Sequence, residues 1–101
     1  MKVRLERLGS TLVVKLDGEL DQSCAKDIRE QIDREINIHG AYNLIVDFDK
    51  VSFMDSSGIG MLIGRYKLIQ ALGGKMLIIR TSPQVDKIIE LSGLKSLIDF
   101  E

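Results

Sequence analysis

Four things are scarce in this 101-residue chain: cysteine, histidine, an excess of either charge, and long apolar runs. Cys24 is the only cysteine, so no internal disulfide can form, and a cysteine-based metal cluster would need other ligands. Its place early in a helical pattern, beside Ala25, suits a small buried side chain. His39 is the only histidine, and no nucleophile or carboxylate pair is tied to it by spacing. Beside Gly40, at the end of a helical pattern, it is placed where a cation favours the helix dipole. Fourteen basic residues face 15 acidic ones, a formal net charge of −1, which lacks the basic excess of an electrostatic nucleic-acid binder. No apolar run is long enough to span a bilayer, and Met1 to Glu6 holds no apolar stretch of signal-peptide length. A cytoplasmic protein with no membrane partner is the default expectation.

What is present fits one globular domain over residues 1–101. Hydrophobic residues make up 45% and charged residues 29%, and a chain of this length can bury one core. Val3 and Leu5 alternate with Arg4 and Glu6, which predicts a half-buried strand. Gly9-Ser10 reads as a hairpin turn into a second strand from Thr11 to Asp17. Gly18-Glu19-Leu20-Asp21 reads as a break, with Asp21 capping a helix to about Ile38. In that helix Ala25, Ile28, Ile32 and Ile36 recur at helical spacing, while Lys26, Asp27, Arg29, Glu30, Asp33 and Arg34 form a solvated face. A short apolar strand is expected from Asn43 to Phe48, a helix from Ser57 to Leu72, and a buried strand from Lys75 to Arg80. Ser82-Pro83 is a start signal for a last helix ending near Ser92-Gly93, and residues 97–100 read as a final edge strand. The order β-β-α-β-α-β-α-β implies an α/β fold with a mostly parallel sheet of four to five strands and helices packed on it. Functional sites of such sheets lie beyond the carboxyl ends of the strands, where the Gly18–Asp21 and Asp55–Gly58 loops fall.

Several chemistries fail on inspection. Gly58-Ile59-Gly60 is not a dinucleotide fingerprint, because position 63 is Ile where a third glycine is required. There is no Walker-type loop, and no Gly-x-Ser-x-Gly elbow surrounds Ser56 or Ser57. Asp17, Glu19, Asp21, Asp47, Asp49 and Asp55 gather near strand ends, but loop carboxylates more commonly cap or face water than hold a divalent metal. No acid, base and nucleophile assemble. The sequence therefore points to no catalytic centre and to no cofactor.

The segment from Phe53 to Gly60 carries most information. It joins an apolar strand to a helix start, with two serines preceded by a carboxylate and followed by glycines. Asp and Ser there serve as a helix cap. The same place has unpartnered N–H groups and the positive end of the dipole, so a phosphate on a serine would be accommodated. The following helix is apolar on two sides: Ile59, Leu62, Ile63, Tyr66 and Ile69 form one stripe, Met61, Leu68 and Leu72 another. Gly60, Gly64 and Ala71 leave a flat strip beside the second. That stripe either packs on the last helix or is an exposed partner surface, with Met61 nearest the serines.

Gly18-Glu19-Leu20-Asp21, then residues 51–60 (Val-Ser-Phe-Met-Asp-Ser-Ser-Gly-Ile-Gly), Gly64-Arg65-Tyr66-Lys67, Gly73-Gly74 and Ser92-Gly93-Leu94 closely resemble the anti-sigma factor antagonists. These are STAS-domain proteins, and the sporulation antagonists of spore-forming bacteria are the nearest in pattern. The resemblance runs over nearly the whole chain in one order. It implies that the unphosphorylated protein binds an anti-sigma factor that is also a serine kinase, and so releases a sigma factor. Phosphorylation of one serine at the helix start ends that binding, and a metal-dependent serine phosphatase restores it. The acceptor directly follows the aspartate, which here is Ser56, with Ser57 as second choice; the family's loop aspartate maps onto Asp21. The candidate partner surface is then Asp21, Asp55, Ser56, Ser57, Gly58, Gly60, Met61 and Gly64. The resemblance implies a binding protein, not an enzyme; two other readings remain, a STAS module of another signalling complex, such as a stress assembly, or a small ligand-binding or enzymatic α/β domain using the same loops.

Overall fold

The computed structural model describes all 101 residues. Strand β1 (Lys2–Leu8) pairs antiparallel with β2 (Thr11–Leu20) through a turn at Gly9. Helix α1 (Ala25–His39) returns the chain to β3 (Asn43–Met54), which lies parallel to β2. Helix α2 (Ser56–Ala71), strand β4 (Met76–Ile79), helix α3 (Pro83–Ser92) and strand β5 (Asp99–Phe100) follow, with a 3-10 turn at Leu94–Ser96. The five strands lie in chain order, β1-β2-β3-β4-β5, with only β1 antiparallel.

This order decides where the helices go. Each parallel crossover steps one strand in the same direction, and right-handed connections then place α1, α2 and α3 on one face of the sheet. Burial agrees: Leu12, Val14 and Leu16 of β2, Leu44, Val46 and Phe48 of β3, and Met76 and Ile78 of β4 are buried on that face. They meet Ile28, Ile32 and Ile36 of α1, Leu62 and Ile69 of α2, and Val85 and Ile89 of α3 in one core. No helix is long and apolar enough to cross a membrane.

Two strands run further than the residue pattern indicates. β2 does not break at Gly18 but continues to Leu20, and β3 continues past Phe48 to Met54. The pairing survives because β3 carries two irregularities, opposite Lys15–Asp17 and Gly18–Glu19. Gly18, at φ 126°, supplies backbone geometry that other residues rarely adopt, so here it marks a bulge rather than a turn. Beyond Phe48 the exposed Asp49, Lys50, Ser52 and Phe53 look like a loop in sequence, while Val51 and Met54 still point into the core. The consequence is functional. Leu20 and Met54 end level with each other, so the Asp21 and Asp55 loops emerge side by side.

Candidate functional site

Asp55 is the centre of the local geometry. As N-cap of α2 its Oδ1 accepts hydrogen bonds from the backbone N–H of Ser57 at 2.9 Å and of Gly58 at 3.3 Å. Its Oδ2 accepts from the Gln22 N–H at 3.2 Å, and its own N–H donates to the Leu20 carbonyl at 3.3 Å. One side chain thus caps the helix and fastens the neighbouring loop. Ser56 occupies the first position of α2 and is exposed, and its hydroxyl makes no hydrogen bond within the protein. Ser57, one residue on, is half-buried and turns toward a groove between α1 and α2.

Asp21 sits in the loop beside Asp55, but it is not the cap of α1. The helix begins at Ala25, its N-cap is Cys24, and no side chain caps it. Asp21 Oδ1 instead accepts from the Ser23 N–H at 3.0 Å and the Ser23 hydroxyl at 2.5 Å, while its carbonyl accepts from the N–H of Cys24 and Ala25. Asp at this position folds the backbone into a local turn, which competes with capping. The Ser23 hydroxyl, above all, holds the Asp21 carboxyl below its ordinary range, against the opposing effect of desolvation. Cys24 is only half-buried, its thiol lying 3.3 Å from the Glu19 carbonyl.

Two residues placed on the partner surface by sequence lie underneath it. Gly58 is buried, and a Cβ there would come within 2.6 Å of Met54 Cγ and 3.0 Å of the Leu20 carbonyl oxygen. It lets the first turn of α2 settle on the ends of β2 and β3. Met61 is 5% exposed and belongs to the core, so it is not a solvent-facing anchor. The second stripe packs on α1, not on the last helix, and fades outward from buried Met61 through half-buried Leu68 to exposed Leu72. A helix apolar on two sides is here one that covers the sheet and also flanks a neighbour. Gly60 and Gly64 do face outward, with open space where a Cβ would stand.

Sequence reasoning passed over Arg65. It is 8% exposed, and its Nε lies 2.9 Å from Asp33 Oδ1, off the hydrogen-bond axis, so the two form an ion pair across α1 and α2. Burial, chiefly, lowers its pKa; Asp33 opposes that and Arg29 adds to it. The available signal was a cation four residues after Met61, on the same face of a largely apolar helix. Lys26, Arg29, Gln22 and Ser57 join it around a groove of about 400 Å³. A larger depression of about 480 Å³ lies elsewhere, over Lys15, Asp47 and Arg80, and shares no residue with this groove.

A capped helix start with an exposed serine, set between two acidic loops at the carboxyl ends of adjacent parallel strands, can be compared with known proteins. The STAS domain family matches residues 2–101. The chain belongs to that family, among the anti-sigma factor antagonists. It is 35% identical over 94 residues to the anti-sigma F factor antagonist of Paenibacillus polymyxa, covering 93% of this chain and 80% of that protein. Among solved structures it is similar to the anti-sigma factor antagonist SpoIIAA in its unphosphorylated form, with TM-score 0.79 and 30% identity over 99% of this chain and 87% of that one. Similarity to SpoIIAA in its phosphorylated form, the Bacillus cell fate determinant, is equal in extent: TM-score 0.78 and 33% identity over 99% and 91% of the two chains. The STAS fold is the α/β architecture with a mainly parallel sheet that strand and helix alternation implies.

Proposed function

We propose that this STAS domain is a phosphorylation-switched anti-sigma factor antagonist. Its unphosphorylated form binds an anti-sigma factor that is also a serine kinase, and so releases the sigma factor. Phosphorylation of Ser56 ends the binding, and a metal-dependent serine phosphatase reverses it. The observation that carries this reading is the exposed, unengaged hydroxyl of Ser56 at the first position of a capped helix. A phosphoryl group there adds about −1.5 to −2 charge at pH 7. The helix N-terminus tolerates that charge in the free protein. Inside a close-packed interface the same charge must be desolvated beside the Asp55 and Asp21 carboxylates, which is costly. Binding is lost without any change of fold, a reading supported by the equal similarity to both forms of SpoIIAA. Asp21, Asp55, Ser57, Gly60 and Gly64 complete the proposed contact surface. The protein acts by binding and as a substrate, not as an enzyme, and in the cytoplasm.

The test uses the partner anti-sigma factor kinase and ATP. One phosphoryl group per chain, mapped to Ser56, is the expected result, with dissociation of the complex on modification. Ser56→Ala should accept none and bind constitutively, and Ser56→Asp should bind poorly. Asp21→Asn should keep the local turn and the fold while weakening partner binding. Modification mapped to Ser57 would overturn the acceptor assignment, and a Ser56→Asp variant that binds normally would overturn the switch.

A further inference from the structure

We infer that the groove between α1 and α2 is a binding site for a phosphate oxyanion, held by Lys26, Arg29 and Arg65 beside Ser57. The charges around it are unbalanced. Three cations line it, and the only carboxylate paired with any of them is Asp33, which meets Arg65. Neither Lys26 nor Arg29 forms an ion pair. Arg65 is 8% exposed, and its Nη1 is buried without a hydrogen-bond partner. A buried guanidinium donor left unmade is expensive, and native structures rarely tolerate one that nothing satisfies. Arg29 stands close enough to disfavour the charged state of Arg65. An anion seated between the two guanidiniums would relieve the repulsion, and a small turn of the Arg65 side chain toward it would satisfy the orphaned donor as well.

The shape suits a small tetrahedral ion or a phosphate monoester. The groove holds about 400 Å³. Gly60 and Gly64 put no side chain over it, so the mouth stays open down to Arg65. Ser57 and Gln22 line the same groove, and a hydroxyl and a side-chain amide of these residues can share the remaining oxygens. Guanidinium forks and ammonium groups bind a phosphate dianion more strongly than a singly charged, spherical chloride. This inference does not depend on phosphorylation of Ser56 and is tested on the unmodified protein.

The experiment is a titration of the ¹⁵N-labelled protein at fixed ionic strength, followed by amide shifts at Ser57, Gly60 and Gly64. Constant ionic strength separates binding from the general attraction of surface cations for anions. Inorganic phosphate and O-phosphoserine are the two probes, with chloride as the control. Saturable shifts centred on these residues with either probe are expected, and which probe saturates at lower concentration identifies free ion or monoester as the preferred source. The Lys26→Ala, Arg29→Ala double variant should bind about tenfold or more weakly, with a melting temperature no lower than wild type in the absence of phosphate, because both side chains are exposed and unpaired and Arg29 repels Arg65. Shifts that stay linear with both probes, shifts that chloride reproduces, or a double variant of undiminished affinity would each overturn the assignment.

Discussion

Asp55 Oδ2 accepts a hydrogen bond from the Gln22 backbone N–H at 3.2 Å, although 33 residues separate the two in sequence. The same carboxylate caps α2 through Ser57 and Gly58. The start of α2 and the loop leading into α1 are therefore held by one side chain, directly before the proposed acceptor. The arrangement is possible because β2 and β3 end level at Leu20 and Met54. A charge added at Ser56 acts on a carboxylate that already organises both loops.

Replacing Asp55 should separate its two roles. Asp55→Ala removes the cap and the tie to Gln22, and loss of an N-cap costs about 0.5–2 kcal/mol. Asp55→Ser keeps an oxygen for the Ser57 and Gly58 N–H groups but is too short to serve Gln22 as well. Urea unfolding should show a clear loss for the alanine variant and a smaller one for serine. Amide exchange at Gln22 should quicken in both. Gln22 exchange that is unchanged in Asp55→Ala would refute the tie.

Met61→Lys should destabilise the domain. The methionine is 5% exposed and packs into the core beside α1, and a lysine there either buries its charge or reaches out toward Arg29 and Arg65. Both outcomes are unfavourable, the first by desolvation and the second by repulsion. A loss of about 2–4 kcal/mol, or roughly 10 °C or more in melting temperature, is expected for a domain of this size. A melting temperature close to wild type would mean that the side chain is free to face solvent after all.

How far the residues foretold the molecule depended on whether the signal was local. The Ser82-Pro83 start of α3 was legible because its cap lies within one turn: Ser82 Oγ accepts from the Val85 N–H at 3.2 Å. Asp55 as cap of α2, the helix ends at Gly40 and Gly93, and the strand and helix alternation were legible for the same reason. The full lengths of β2 and β3 were not, because their outer halves are sustained by pairing with each other across bulges, not by apolar alternation. Asp21 misled because an aspartate before a helix can either cap it or fold a turn, and here Ser23 captures it. Met61 misled, and Arg65 went unassigned, because a stripe on a helix does not say whether water or another helix covers it; α1 does.

The glycines of α2 should differ in their response to alanine. At Gly58 the new Cβ would meet Met54 Cγ at 2.6 Å, Leu20 Cγ at 2.9 Å and the Leu20 carbonyl oxygen at 3.0 Å. Side chains can yield, but the carbonyl is fixed in the sheet, so overpacking of about 1–3 kcal/mol should outweigh the better helix propensity of alanine. At Gly60 a Cβ meets nothing within 4 Å, so Gly60→Ala should leave the domain as stable or up to about 1 kcal/mol more so. Any weakening of anti-sigma factor binding in Gly60→Ala then reports a crowded interface directly. Equal stability changes at the two positions would show that α2 does not rest on the strand ends as described.

Acid should reveal the pair at the far side of the sheet. Asp47 is 4% exposed and accepts hydrogen bonds from Arg80 Nε at 3.1 Å and Nη2, and from the Asp49 N–H at 2.9 Å. The Arg80 bond foremost, and then the Asp49 N–H, hold the Asp47 carboxyl below its ordinary 3.8, against the effect of burial. Arg80 takes up φ 62°, the only positive value outside glycine, while its side chain makes this contact. The sign follows from which state takes up the proton first. On acidification the unfolded chain is protonated at the ordinary value while the folded carboxylate still resists. The stabilisation is therefore complete at neutral pH, begins to fall below about pH 4, and is gone once the folded group is protonated. Asp21 and Asp86 are lowered as well, so wild type alone does not isolate Asp47. Asp47→Asn does: it should be less stable at pH 7 by about 1–3 kcal/mol and lose less on acidification, so that the two melting curves converge toward low pH. Parallel curves would show that Arg80 contributes nothing through the charge of Asp47.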